Sequence, residues 1–215
     1  MSHDTEFMIF VDSQLHGADW PKEACVVVSK DVFGTPEPFV VRNQVHGTHS
    51  EQKLTDELKQ YLERENRSVL PTEQRVTAVQ LKLFLNYSPC SKCSFYLIKF
   101  INDCRSKFNL EISLEVVFSG IYKIERPSCK RGECGEKHKR LPSDVMEANI
   151  TGLKSLNQHG AKLRTFDQRD WSELASILKV RKECADAAMA EKRKKEDICM
   201  RKDLEELLPE LSLGR

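Results

Sequence analysis

The stretch Val76–Leu85 (VTAVQLKLFL) constrains this chain more than any other. It is apolar almost throughout, with partial alternation, and Ser88-Pro89 follows it with the chemistry of a helix start. Serine suits an N-cap, and proline suits the first helical position, where its missing N–H costs nothing. Beyond them Leu97, Ile101, Cys104 and Phe108 fall on one helical face. A strand this apolar belongs in the middle of a sheet, and a helix leaving it directly must fold back to cover that sheet. The chain is therefore expected to build layers around a central strand.

The remaining periodicities extend that expectation. Thr5–Leu15 reads as a short helix or a lead-in. Ala24–Lys30 is β-branched, and Phe39-Val40-Val41 resumes a strand after Gly34, Pro36 and Pro38, so the two read as a hairpin. From Ser50 the period becomes helical through Leu54, Leu58, Tyr61 and Leu62, ending near Arg67–Thr72. Leu110–Phe118 (LEISLEVVF) is a further strand, and Lys123–Pro142 a long polar loop. Ser143 or Asp144 caps a helix running to Asn157, Lys162–Phe166 is a short strand, and Asp170–Leu178 is helical, with a charged helix continuing to Leu208. The order β-β-α-β-α-β-α-β-α-α specifies an α/β fold, one five-stranded mixed sheet with helices on both faces. Residues 1–180 are expected to form the domain, and 181–215 a charged helix and leucine-rich tail.

Composition narrows the classes. The 215 residues carry 34 Lys+Arg against 33 Asp+Glu, a net charge of +1, and 40% are hydrophobic. That suits a single core and excludes a disordered chain. It also excludes an overall basic nucleic-acid binder, while leaving room for a local basic patch. The longest apolar runs, such as Cys25–Val28, are far too short to span a bilayer, so no membrane partner is expected. Met1-Ser2-His3-Asp4 has neither a basic nor an apolar leader character. With no leader expected, the eight cysteines read as reduced thiols, metal ligands or core residues rather than a disulfide framework.

Chemistry concentrates at two helix starts. His49-Ser50-Glu51 opens the first long helix, and Pro89-Cys90-Ser91-Lys92-Cys93 the second. Cys90 and Cys93 share one helix face at an N-terminus, where the helix dipole favours thiolates. One histidine and two cysteines suit a tetrahedral zinc and leave its fourth position open to water, as catalytic rather than structural sites do. Two buried core cysteines, or a structural zinc, are the alternatives. Glu51 is not counted as a ligand; it is placed to shuttle a proton between water and a substrate nitrogen. H-x-E followed by P-C-x-x-C resembles the signature of the zinc-dependent nucleobase deaminases.

The flanking residues resemble one family within that class. Leu83-Phe84-Leu85-Asn86-Tyr87-Ser88-Pro89-Cys90-Ser91-Lys92-Cys93 resembles the S-W-S-P-C-x-x-C segment of the AID/APOBEC-like polynucleotide cytidine deaminases, with Tyr87 where that family has Trp. Val117–Tyr122 is similar to the family's fourth strand and the start of its substrate loop, and Gly152–Gly160 to its G-L-x-x-L-x-x-x-G helix end. Val41-Arg42-Asn43 is similar to its first substrate loop. The resemblance implies a cytidine-deaminase-like fold with a catalytic zinc on His49, Cys90 and Cys93, and Glu51 as the proton carrier. It further implies that Arg42, Asn43, Tyr87, Ser88, Tyr122 and Arg126 line the substrate, with Tyr87 stacking on the base and Asn43 contacting its sugar. The reaction it implies is deamination of cytosine to uracil in single-stranded DNA. RNA cytidine is the nearest alternative, then tRNA adenosine or free deoxycytidylate; a nucleic-acid-binding restriction factor with little turnover is the rival from another class.

Three further features depart from the family or extend it. The loop Cys129–His138 spaces its residues C-x4-C-x3-H, and a second, structural zinc on Cys129, Cys134, His138 and His46 is one expectation; free thiols and a disulfide are the others. Lys123, Arg126, Lys130, Arg131, Lys137, Lys139 and Arg140 outnumber Glu125, Glu133 and Glu136, which suits a phosphate track or an ordinary solvated loop. Near the C-terminus, Lys192-Arg193-Lys194-Lys195 reads as an import patch or an exposed helix face. Leu204, Leu207, Leu211 and Leu213 have the spacing of a leucine-rich stripe for a nuclear export receptor, or of a stripe packed on the domain. A protein shuttling between cytoplasm and nucleus is the corresponding expectation.

Overall fold

Strict alternation along the two central strands decides which helices lie where. In β3 (Ala78–Leu85), Leu81, Leu83 and Leu85 enter one core and Phe84 the opposite one; in β4 (Glu111–Phe118), Leu114, Val116 and Phe118 join the first and Val117 the second. The two strands pair in parallel with Leu83 beside Val116 and Leu85 beside Phe118. A two-residue period with both faces apolar requires a helical layer on each side, and both are present. The computed structural model describes residues 3–12, 25–28, 38–43, 47–68, 78–132 and 141–209.

Within those residues the elements run α1 (Asp4–Asp12), β1 (Cys25–Val28), β2 (Phe39–Arg42), α2 (Ser50–Ser68), β3, α3 (Ser91–Phe108), β4, α4 (Pro127–Lys130), α5 (Ser143–Gln158), β5 (Lys162–Thr165), α6 (Gln168–Leu178), α7 (Lys182–Ala188) and α8 (Glu191–Leu207). The sheet order is β2-β1-β3-β4-β5. β1 is antiparallel to β2 and to β3, while β4 and β5 continue in parallel, so the expected five-stranded mixed sheet is what forms. The first core takes Leu54 and Leu58 of α2, Leu97, Phe100, Ile101 and Cys104 of α3, and Leu153 and Leu156 of α5. The second takes Phe7 and Phe10 of α1 with Trp171, Leu174 and Leu178 of α6.

Caps fix the helix ends. Asp167 caps α6 through a reciprocal capping box with Asp170, and Asn109 closes α3 in the left-handed conformation at φ 52. Asp170 also pairs with Arg164 of β5 and, at 2.9 Å, with Lys82 of β3, binding α6 to two strands. Burial alone would raise the Asp170 carboxyl; the bonds from Arg164, the Asp167 amide and Lys82 outweigh it and hold it below the ordinary range.

Two sequence expectations change. The second long helix starts at Ser91 with Cys90 as N-cap, not at Ser88-Pro89, because Ser88 is engaged elsewhere: its N–H donates to the Gly120 carbonyl at 2.7 Å and its Oγ accepts from the Tyr122 amide at 2.9 Å. The single charged helix expected up to Leu208 is two, broken at Met189-Ala190. The break turns α8 back so that Met200, Leu204 and Leu208 enter the first core. Beyond residue 180, α8 packs on β5, α4 and α7 and lends its apolar side to the first core.

Candidate metal centre

Parallel strands present their carboxyl ends on one edge, where the loops that follow them gather. Residues 86–90 leave β3 there and residues 119–122 leave β4. The helix starts of α2 and α3 meet at the same edge, and each is capped by an asparagine from another part of the chain. Asn43 Oδ1 accepts from the Ser50 amide at 2.7 Å, fixing the first turn of α2. Asn149 Oδ1 accepts from the Ser91 amide at 3.0 Å, fixing the first turn of α3. Unpaired first-turn amides are ordinarily satisfied by local Ser, Thr, Asp or Asn; here Cys90 Sγ accepts from the Cys93 amide at 3.5 Å, and the Ser50 and Ser91 amides are met by asparagines from β2's end and from α5.

His49 Nδ1 lies 3.0 Å from Cys93 Sγ and 3.5 Å from Cys90 Sγ. The three donor atoms lie within 4.8 Å of one another, with no fourth His, Cys or carboxylate donor in the cluster among the described residues. Bonds of about 2.3 Å to sulfur and about 2.0–2.1 Å to nitrogen at tetrahedral angles put the nitrogen–sulfur edge at about 3.6 Å, so the donor set fits zinc. Cys90, bonded by the Cys93 thiol and by backbone amides of the first turn, is lowered to about 5 against the opposing effect of burial. Cys93, donating to Cys90 and buried, is pushed up. A cation at this point would replace the proton the two sulfurs share.

Glu51 stands beside this cluster and outside it. It is 6% exposed, and Ser50 Oγ donates to its Oε2 at 3.1 Å. Burial is the largest influence on its carboxyl and raises it, with the neighbouring Cys90 adding to the rise. A buried carboxyl that holds its proton more tightly than an exposed one is suited to giving and taking protons near neutrality.

The expected substrate residues have distinct fates. Tyr87 is buried, with its ring against the backbone of Gly120 and its centroid 6.0 Å from that of Tyr122. A β-carbon at Gly120 would come within 2.9 Å of the Tyr87 ring, so glycine there lets the aromatic wall close. Asn43 and Ser88 are spent, through the bonds described above, on holding backbone. Arg42 is exposed and pairs with Glu6 of α1 at 2.8 Å. Arg126 corrects the expectation most clearly: its guanidinium binds Glu196 and, at 2.7 Å, Asp203, both on α8, and so is not a cation free for phosphate. Lys130 pairs with Glu125 at 3.7 Å and Arg131 with Glu206 at 2.8 Å, so these members of the expected phosphate track are also neutralised within the chain. Lys137, Lys139 and Arg140 lie outside the described residues. Of the expected second metal site, His46, Cys134 and His138 also lie outside them, and Cys129 is half-buried in α4. Leu204 and Leu207 of the leucine stripe pack on the first core, while Leu211 and Leu213 lie outside the described residues. Arg193, at the middle of the basic patch, is 5% exposed.

Three residues that hold the surroundings of the site carried no sequence signal for that role. Asn149 Nδ2 donates to the carbonyls of Tyr122 and Lys123, both at 3.4 Å, holding Lys123 in the left-handed region at φ 47. Asp203 accepts from the Ser128 amide and hydroxyl at 2.7 and 2.6 Å. Arg193 donates to the Ser119 carbonyl at 2.9 Å. The last two grip the segment 119–128 at both ends from α8. Gly152 did carry a signal, and its reason is now geometric: a β-carbon there would lie 2.7 Å from Ser91 Cα, between the two ligand cysteines. Gly152→Ala is expected to cost about 1–3 kcal/mol by overpacking and to weaken zinc retention, read by thermal melting and by competition with a chelator. Unchanged retention would show that α3's first turn is not set by this contact.

No family model matches the chain, and no curated protein does. Among solved structures it is similar to a dCMP deaminase from the cyanophage S-TIM5 in apo form, at 12% identity and a TM-score of 0.34, covering 77% of this chain and 100% of that one. The functional conclusion rests on the donors and on Glu51.

Proposed function

We propose that this chain is a zinc-dependent deaminase that hydrolyses cytosine to uracil in single-stranded polynucleotide, with DNA as its first substrate. The observation that carries the proposal is one juxtaposition: three converging ligands on two helix starts, and a buried carboxyl, Glu51, adjacent to them but outside the ligand set. A zinc held by His49, Cys90 and Cys93 would supply Lewis acidity to a water. Glu51 would take a first proton from that water and pass it to N3 of the base as the C4–O bond forms, then carry the second proton, from the new hydroxyl, to the amino nitrogen as the C4–N bond breaks and ammonia departs. Tyr87 and Tyr122 form an aromatic wall on which an unstacked base can rest. Asn43 and Asn149 hold the two helix starts, and through them the ligands, in register.

A base already free of a duplex can reach such a site directly, whereas a paired one must first be unstacked at a cost of a few kcal/mol. The deciding experiment incubates the zinc-loaded protein with single-stranded DNA, matched RNA and duplex DNA, each bearing one cytosine, alongside free deoxycytidylate. The expected result is uracil in single-stranded DNA well ahead of duplex. Faster RNA turnover would move the assignment to RNA editing. Turnover of deoxycytidylate alone would move it to nucleotide metabolism, and binding without turnover to a nucleic-acid-binding protein of this architecture.

A further inference from the structure

Most described cations near the site are already paired: Arg42, Arg126, Lys130 and Arg131 all have carboxylate partners. The exposed face of α3 is different. Lys92 and Lys99 are exposed, and neither has an ion-pair partner among the described residues. Between them on the same helical face stands Phe95, 62% exposed, one of only two large hydrophobic side chains this open among the described residues. Phe95 meets Tyr96 edge-on at 6.1 Å, and the Lys92 ammonium lies 5.9 Å from the Tyr96 ring centroid. The nearest acid along the helix, Asp103, is taken by Lys59 at 2.8 Å and Lys107 at 3.1 Å.

This face is continuous with the site. It begins at Ser91, between the ligand cysteines, and Asn149 joins the Ser91 amide to the carbonyls of Tyr122 and Lys123. Lys123 in turn lies 5.2 Å from the Tyr122 ring, at the aromatic wall. Cations and aromatic rings are therefore interspersed on this side of the site, Lys123 by Tyr122 and Lys92 by Tyr96, with Phe95 and Lys99 further along α3. Along α3, Lys92 to Lys99 spans about 10 Å. Non-specific single-strand sites combine these two chemistries, ammonium groups for phosphates and ring faces for bases.

We propose that the α3 face carrying Lys92, Phe95 and Lys99 is a track for the single-stranded polynucleotide flanking the reacting base, with a base stacked on Phe95 and phosphates on the two lysines. The proposal rests on the deaminase reading for its reacting base, but not for its binding. Binding of a homothymidine oligonucleotide by the full chain tests it without turnover, since that strand contains no cytosine. Phe95→Ala is expected to weaken binding roughly 5- to 100-fold, the range for losing one stacked base. Lys92→Gln with Lys99→Gln is expected to lower the slope of log affinity against log salt by about 1.4, at about 0.7 per phosphate on a single strand. All three side chains are exposed, so melting temperatures should be unchanged, and Lys99→Gln alone provides a milder variant. On a cytosine-bearing strand the same variants should raise KM and leave kcat. Wild-type affinity and salt slope in the variants would overturn the proposal. So would sedimentation showing that Phe95→Ala abolishes self-association while leaving binding intact, which would assign the face to a second copy of this chain. If the wild-type protein binds homothymidine through these residues but deaminates nothing, the enzyme reading falls and the track stands. If it deaminates and the variants bind normally, only the track falls.

Discussion

Glu51→Gln is expected to abolish deamination while the purified protein retains its zinc. The substitution keeps the shape of the side chain and its bond to Ser50 but removes the group that carries the proton. General acid–base steps of this kind contribute about 10²–10⁴-fold, and both proton transfers pass through the same carboxyl, so the loss should reach at least the upper end. Zinc content should not change, because among the described residues the ligand cluster consists of His49, Cys90 and Cys93 without Glu51. Uracil release from a single-stranded oligonucleotide and elemental analysis of the same preparation check both halves. A variant that lost its metal would make Glu51 a ligand; one that kept full turnover would remove it from the chemistry.

The second large effect lies far from the ligands. Arg193 of α8 donates to the carbonyls of Val11 at 3.3 Å and Ser119 at 2.9 Å and pairs with Asp197 at 2.5 Å. Asp197 also accepts from Trp171 Nε1 at 2.8 Å, and the guanidinium lies 4.9 Å from the Trp171 ring centroid. Arg193→Met would leave two buried carbonyls without their donor and a buried carboxylate without its cation. Removing one partner of such a pair costs about 3–5 kcal/mol. For a chain of this size that lowers the melting temperature on the order of 10 °C. Arg193→Met with Asp197→Leu should recover part of the loss, because the uncompensated charge is gone. Thermal melts followed by tryptophan fluorescence check this; a melt within a degree of wild type would show that this network does not hold α8.

The elements that were legible in sequence are those whose signal is local. Alternation in 76–85 and 110–118 gave the central strands, and the spacing of His49, Cys90 and Cys93 brought three donors together because each opens a helix at the same sheet edge. What stayed hidden depends on partners remote in the chain. Ser88-Pro89 has the composition of a helix start, yet the Ser88 backbone and hydroxyl serve Gly120 and Tyr122 instead. Arg126 looks like any cation in a polar loop; its partners Glu196 and Asp203 stand 70 and 77 residues away. Arg193 sits among three lysines and reads as solvated until the helix break at Met189-Ala190 rotates it inward. Lys92 and Lys99 are hidden for the opposite reason, since nothing in a sequence marks which lysines will find no acid.

The grip of α8 on 119–128 also orders events during synthesis. The metal ligands are all made by residue 93, and the aromatic wall by residue 122, but the carboxylate that receives Ser128 is 75 residues further on. At about 5–20 residues per second, that separation is roughly 4–15 s of translation. Over most of it the emerging chain contains His49, Glu51, Cys90 and Cys93 but neither α8 anchor of residues 119–128, Arg193 or Asp203. Residues 119–128 reach their final hold only when Asp203 has been translated and has closed onto Ser128.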